Sequence, residues 1–271
     1  MHVLLLGGHG KVALHLTPLL LNRSWSVTSV VRNPDHESEI LDLGKGRKGK
    51  LNVLISSLEN VKSATDAQKI LDATKPDYVV WSAGAGGKGG PASTIAIDQE
   101  AAKHFIGASF AYPSVSKFLM VSWLGSRRKQ PSWMNDDAWA SIMRGKTEIL
   151  PTYAAAKLEA DEYMTALAAK QKKENSRPFQ AINLRPGTLK DDPATRKVDL
   201  GITGEAKGSV TREDVAIVAD QLLARADVEG WIDLVNGDVE VEEAVEKVAT
   251  EKIDAVAEED VDGMVKRFFP E

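Results

Sequence analysis

Short apolar runs alternate with longer segments of helical spacing along most of this chain. That is the pattern of strands and crossover helices in a parallel α/β sheet. The first run, Val3-Leu4-Leu5-Leu6, breaks into Gly7-Gly8-His9-Gly10, and residues 11–22 then carry Val12, Leu16, Leu19 and Leu20 on one helical stripe. Pro18 lies inside that stripe and is expected to kink or shorten the helix. Further strands are predicted at 25–31, 51–57, 77–84, 117–123, 178–184 and 231–235. Helices are predicted at 36–43, 63–74, 93–110, 153–173, from an acidic start at 211–214 through 223, and from 241 onward.

Residues 124–152 interrupt this rhythm. The stretch is long for a connection in a compact domain and is read either as a lid or binding loop or as a surface insertion with a short helix at 137–143. In the first reading Trp133 and Trp139 wall an apolar substrate pocket. With no internal repeat and no linker, residues 1–271 are expected to form one domain, and residues 188–271 to cap its substrate side.

The glycine turn carries the first candidate chemistry. Gly7, Gly10 and Ala13 occupy the small positions of a G-x-x-G-x-x-A spacing between strand and helix. Small residues there let the backbone turn sharply and approach a pyrophosphate, with the free N–H groups of the helix start facing the phosphates. At the end of the second strand an NAD site places an acidic residue for the ribose hydroxyls, whereas an NADP site offers an arginine to the 2′-phosphate. This chain has Arg32 there. Lys11 reads equally well as a second phosphate-binding cation or as a solvated surface charge, and the basic loop at 44–50 reads as a solvated turn.

The fourth strand runs into a glycine cluster, Ala85-Gly86-Gly87-Lys88-Gly89-Gly90, at the end of the sheet where ligands bind in open α/β folds. Tyr153 and Lys157 are four apart and share one helix face. A neighbouring ammonium and an oxidised nicotinamide are expected to lower the phenol toward the working range, so that Tyr153 exchanges a proton with a substrate oxygen. Ser122, at the end of the fifth strand, is a candidate to orient the same oxygen.

Composition narrows the classes. The formal net charge is −5, cysteine is absent, and no apolar run approaches the length of a membrane span. Nucleic-acid binding, thiolate catalysis and a bilayer-spanning role are therefore not expected, and no metal site is indicated. With no signal-like leader ahead of the first strand, the reading is a soluble cytoplasmic protein with a small-molecule substrate. The apolar faces of the 93–110 and 153–173 helices suit pairing with a second copy as a homodimer.

Taken together, Gly7 to Ala13, Arg32, Ser82-Ala83-Gly84, Tyr153-x-x-x-Lys157 and Leu184-Arg185-Pro186-Gly187 resemble the short-chain dehydrogenase/reductase superfamily. The closer resemblance is to its extended and atypical branch, the NAD(P)-binding proteins like the regulator NmrA, and it spans nearly the whole chain. It implies a Rossmann-type doubly wound sheet of about seven parallel strands, flanked by helices on both faces, with NADP(H) as cofactor. The implied catalytic trio is Ser122, Tyr153 and Lys157. The implied cofactor contacts are Gly7, Gly8, His9, Gly10, Lys11, Val12 and Arg32 on the first two strands, with Ala83 and Gly84 after the fourth and Lys157 beside the ribose. Pro186, Gly187 and Thr188 are implied to lie by the nicotinamide. The chain departs from many relatives at the third strand end, where Ser56-Ser57-Leu58 replaces an aspartate, so Ser57 and Leu58 or their backbone are expected at the adenine. The long separation of Ser122 from Tyr153 makes Ser126 a competing candidate for the serine role. Three functions follow: an NADPH-dependent oxidoreductase of a small carbonyl or alcohol, a redox sensor without turnover, or a sugar-nucleotide epimerase or dehydratase.

Overall fold

The computed structural model describes residues 1–85, 89–174, 177–204 and 208–270, so Gly86, Gly87 and Lys88 of the glycine cluster lie outside the described residues. From the N-terminus come β1 (His2–Leu6), α1 (Lys11–Asn22), β2 (Ser26–Val31), α2 (Glu37–Asp42), β3 (Leu51–Ile55), α3 (Ala64–Thr74) and β4 (Tyr78–Trp81). Next are α4 (Gly90–Thr94), a π-helical stretch (Ile95–Ala101), α5 (Ala102–Ala111), β5 (Lys117–Val121), α6 (Asp136–Arg144), a second π stretch (Gly145–Ile149) and α7 (Pro151–Lys173). The chain continues through β6 (Gln180–Pro186), β7 (Thr188–Lys190), β8 (Lys197–Gly201), β9 (Ser209–Thr211), α8 (Arg212–Ala224), β10 (Gly230–Asn236), β11 (Val239–Glu240), α9 (Val241–Glu251) and α10 (Val261–Phe268).

The main sheet has nine strands in the order β11-β8-β10-β6-β5-β4-β1-β2-β3. Seven of them, β10, β6, β5, β4, β1, β2 and β3, run parallel, while at one edge β8 pairs antiparallel with both β10 and β11. This is the Rossmann-type fold that the resemblance implied, extended by an antiparallel edge. Side chains of β1 alternate between two cores, as a strand buried on both faces requires. Val3 and Leu5 join the layer under α1, α8 and α9, whereas Leu4 and Leu6 join the layer under α3, α5 and α7. Pro18 does not break α1, which continues to Asn22.

Residues 188–211 carry strands that no pattern announced. In β8, Lys197 and Asp199 face solvent while Val198 and Leu200 are buried, so this strand near the edge alternates where a central strand such as β5 is buried throughout. The helix expected from 153 begins at Pro151, where a proline fits because the first helical N–H needs no partner. The face of α7 is covered within the chain: α10 lies against it, and Tyr163 meets the rings of Phe268 and Phe269.

Candidate dinucleotide groove and active site

The chain leaves β1 for β2 and β3 on one side of the sheet, then crosses to β4 on the other. Ligands in open α/β sheets bind at the carboxyl ends of the strands where the order reverses in this way. A groove of about 440 Å3 opens at this switch point, within the usual range of small-molecule sites.

Its floor is the glycine turn. Gly7 has φ +82°, and a Cβ added there would lie 2.6 Å from the Ala83 Cα, so only glycine lets β1 end this close to the strand beside it. Gly10 caps α1 with extended backbone and no side-chain hydrogen bond, leaving the first N–H groups of the helix to a ligand. Gly7, His9, Gly10 and Lys11 all line the groove. Gly8 and Val12 do other work: a Cβ on Gly8 would meet the Ser29 Cβ at 2.6 Å, and Val12 is buried in the core beneath α1. These features fit a pyrophosphate.

Arg32 lines the groove just past β2, with its side chain 62% exposed and Glu59 no nearer than 3.8 Å. His36 lines it as well, a residue that sequence reasoning missed. The available signal was Asn33-Pro34-Asp35-His36, in which the Asn33 side chain caps the turn and Pro34 fixes it directly after the strand. Lys11 combines its two readings, since it lines the groove while its ammonium pairs with Asp191 at 2.5 Å. Ser57 and Leu58 line the wall beyond β3.

Ala83 and Gly84 form the opposite lip, and Asp98 connects that lip to the residues expected to do chemistry. Asp98 is 1% exposed, accepts the Ala85 N–H at 2.9 Å, and stands 3.3 Å from the Lys157 ammonium. Lys157 is itself buried and lies 3.3 Å from the Val121 carbonyl at the end of β5. Tyr153, one helical turn earlier, has its ring centred 5.7 Å from the Lys157 nitrogen and 6.2 Å from the Trp123 ring. Ser122 donates its hydroxyl to Asp161 at 2.7 Å, one turn beyond Lys157. Ser126 is fully buried beside the same carboxylate. Both candidate serines therefore converge on Asp161.

Burial sets the electrostatics. It raises the Tyr153 phenol, and the opposing pull of Lys157 does not reverse that, so the expected lowering by the ammonium is outweighed. Burial alone would lower Lys157, but Tyr153, Asp98 and Asp161 together leave it above the usual lysine value. Asp161 is raised by burial against the opposing effects of Arg185, Ser122 and Ser126.

The groove lining ends at Ala85 and Ile97, and Ser122, Tyr153 and Lys157 stand beyond it. Pro186, Gly187 and Thr188 are also outside that lining, held by backbone hydrogen bonds with Leu124, Leu234 and Gly208. The segment expected as a lid starts as core. Arg127 is fully buried against Asp233 at 2.8 Å, and Arg185 donates to the carbonyls of Leu124 and Ser126 at 3.0 Å each. Arg185 stacks 3.8 Å over Trp231, and burial pushes its pKa down to about 10. Trp133 and Trp139 pack with Leu124, Met134, Ile142 and Val235 in a small apolar core of their own, which accounts for the rings expected to wall a substrate pocket.

A mostly parallel sheet with a glycine turn and an open groove at its switch point marks a nucleotide-binding α/β protein. The chain belongs to the NAD(P)H-binding family, which it matches over residues 7–226. It is 28% identical over 242 residues to UPF0659 protein C216.03 of Schizosaccharomyces pombe, covering 88% of this chain and 91% of that one. It is 26% identical over 250 residues to YhfK of Bacillus subtilis, named an uncharacterized sugar epimerase, covering 92% and 100%. Among solved structures it is similar to a putative NAD-dependent epimerase/dehydratase from Bacillus halodurans, with a TM-score of 0.71 and 27% identity over 91% of this chain and 99% of that one. The atypical dehydrogenase resemblance is thus borne out at the level of fold and NAD(P) binding.

Proposed function

We propose that this protein is an NADPH-dependent oxidoreductase that interconverts a carbonyl and an alcohol on a small organic substrate. The observation that carries this reading is the buried Lys157, which stands between Tyr153 and the groove lip and is joined to that lip through Asp98. Bound NADPH supplies the hydride that reduces the carbonyl carbon. Tyr153 gives its phenolic proton to the oxygen as that hydride arrives, and recovers one from solvent afterwards. Lys157 favours the phenolate left behind, and Asp98 fixes the ammonium against the backbone of the lip. Ser122 reaches the substrate oxygen only when its hydroxyl leaves Asp161; with that bond in place it fixes the end of β5. Arg32, exposed and only loosely paired, supports NADPH over NADH because guanidinium matches a phosphate monoester. Residues 1–271 act as one unit.

The names of two relatives favour a second reading, epimerisation or dehydration of a sugar nucleotide with a retained NAD. Calorimetric titration with NADPH and NADH, on the native chain and on Arg32→Ala, separates the two. Tight NADPH binding that Arg32→Ala weakens, followed by turnover of carbonyl compounds that Tyr153→Phe slows by about 100-fold to 10000-fold, supports the oxidoreductase. Copurified NAD that neither variant releases supports the epimerase. NADPH binding without turnover over a broad carbonyl panel supports sensing, and absence of binding by either dinucleotide refutes all three.

A further inference from the structure

The rings of His9 and His36 stack with their centroids 3.6 Å apart and their planes 14° from parallel. One comes from the glycine turn after β1 and the other from the capped turn after β2, and both line the groove beside Arg32 and Lys11. Three basic side chains, His9, His36 and Arg32, therefore line the end of the groove where a ribose 2′-phosphate would be held, while the Lys11 ammonium is held by Asp191. Acidic groups also face this cluster. Glu39 meets the His9 Nε2 at 2.9 Å, Glu59 lies 3.8 Å from Arg32, Asp191 pairs with Lys11, and Asp35 and Glu37 flank His36 along the chain.

Two imidazoles in face-to-face contact repel when both are charged, and Arg32 beside them in the groove adds to that repulsion. Glu39, paired with His9, relieves one ring and not the other. A phosphate monoester placed among these groups reverses the balance, because it makes protonation of both rings favourable and accepts charge-assisted hydrogen bonds from them. Binding of the phosphate and protonation of the pair are then linked, and a ligand without the phosphate gains nothing from that linkage.

We propose that His9 and His36 form the pH-dependent part of the 2′-phosphate site, so that the choice of NADPH over NADH sharpens as the pair takes up protons. This rests on the reading of the groove as an NADP(H) site and assigns its specificity to two further residues. Arg32 supplies the constant part of the preference and the histidine pair the variable part.

The test is the ratio of Kd for NADH to Kd for NADPH at pH 8 and at pH 6, at fixed ionic strength. It is measured on the native chain, His36→Gln, His9→Gln and Arg32→Ala. The native ratio is expected to rise about fivefold on acidification, through the range in which imidazoles in general charge. The 2′-phosphate itself loses charge near pH ~6 and acts the other way, so each His→Gln variant should show a flat or falling ratio. A native ratio that does not rise, or a rise that both variants retain, overturns the proposal. An Arg32-dependent preference that stays constant with pH overturns the histidine pair alone. Equal affinity for both dinucleotides with no effect of Arg32→Ala, or no binding of either, overturns the NADP(H) reading and this proposal with it.

Discussion

Gly7→Ala tests the closest backbone approach in the site. The new methyl would lie 2.6 Å from the Ala83 Cα and 2.8 Å from its nitrogen, on a residue whose φ is +82°. Two costs add. A left-handed conformation in an L-residue costs about 1–2 kcal/mol, and overpacking against backbone that must shift costs about 1–3 kcal/mol more. The sum, about 2–5 kcal/mol, corresponds to a fall in Tm of roughly 4–15 °C for a chain of this size. Gly46→Ala is the control, because Gly46 has φ +70° but nothing within 4 Å of the added carbon. It carries the first cost alone and is expected to lower Tm by roughly 2–6 °C. Paired thermal melts by circular dichroism read both. Ala83 also lines the groove, so Gly7→Ala is expected to weaken dinucleotide binding at least about tenfold while Gly46→Ala leaves it unchanged. If Gly7→Ala melts no lower than Gly46→Ala, the tight junction of β1 with the strand end beyond β4 is not what demands glycine, and the argument fails.

Lys157→Met strands Asp98 as a buried carboxylate and is expected to destabilise the fold by about 3–5 kcal/mol in urea titration. Adding Asp98→Asn should recover part of that loss, and a double variant no better than the single one would refute the pairing. Lys117 at the start of β5 is held by the carbonyls of Leu223 and Arg225, and burial lowers its pKa from 10.5 to about 8. Between those values the unfolded chain binds the extra proton, so this group makes stability rise from about pH 8 to about pH 10.5. Lys117→Met should lack that rise when urea midpoints are compared across the window, and parallel pH profiles for the two proteins would exclude the assignment.

The central sheet was legible because most of its strands are buried on both faces and read as largely apolar runs, from Val3-Leu4-Leu5-Leu6 to Trp231–Val235 with only Asp233 interrupting the last. The edge was not. β8 alternates Lys197, Val198, Asp199 and Leu200, while β7 and β9 have three residues each, too few for a period to register. The segment at 124–152 misled for a related reason. Arg127 and Arg185 look like surface cations in any linear pattern, and only the carbonyls and Asp233 that surround them turn their neighbourhood into core.

At the site, spacing gave what lies along one element and missed what joins two. Tyr153 and Lys157 share a helix face by count alone, and the glycine turn and Arg32 follow from the order of the strands. Asp98 and Asp161 stand apart in sequence from the groove lip and from Ser122, so no local pattern marked them. Yet they decide what the recognised residues can do. Asp98 holds Lys157 to the lip, and Asp161 takes the hydroxyl that Ser122 would otherwise offer a substrate oxygen. Because burial already raises Asp161, protonating it demands less than for a solvated carboxyl. On the oxidoreductase reading proposed above, a neutral Asp161 would have less hold on the Ser122 proton, leaving the serine free to donate to substrate. The proton inventory of the site therefore extends one helical turn past Lys157, to a carboxylate that the Tyr-x-x-x-Lys pattern does not contain.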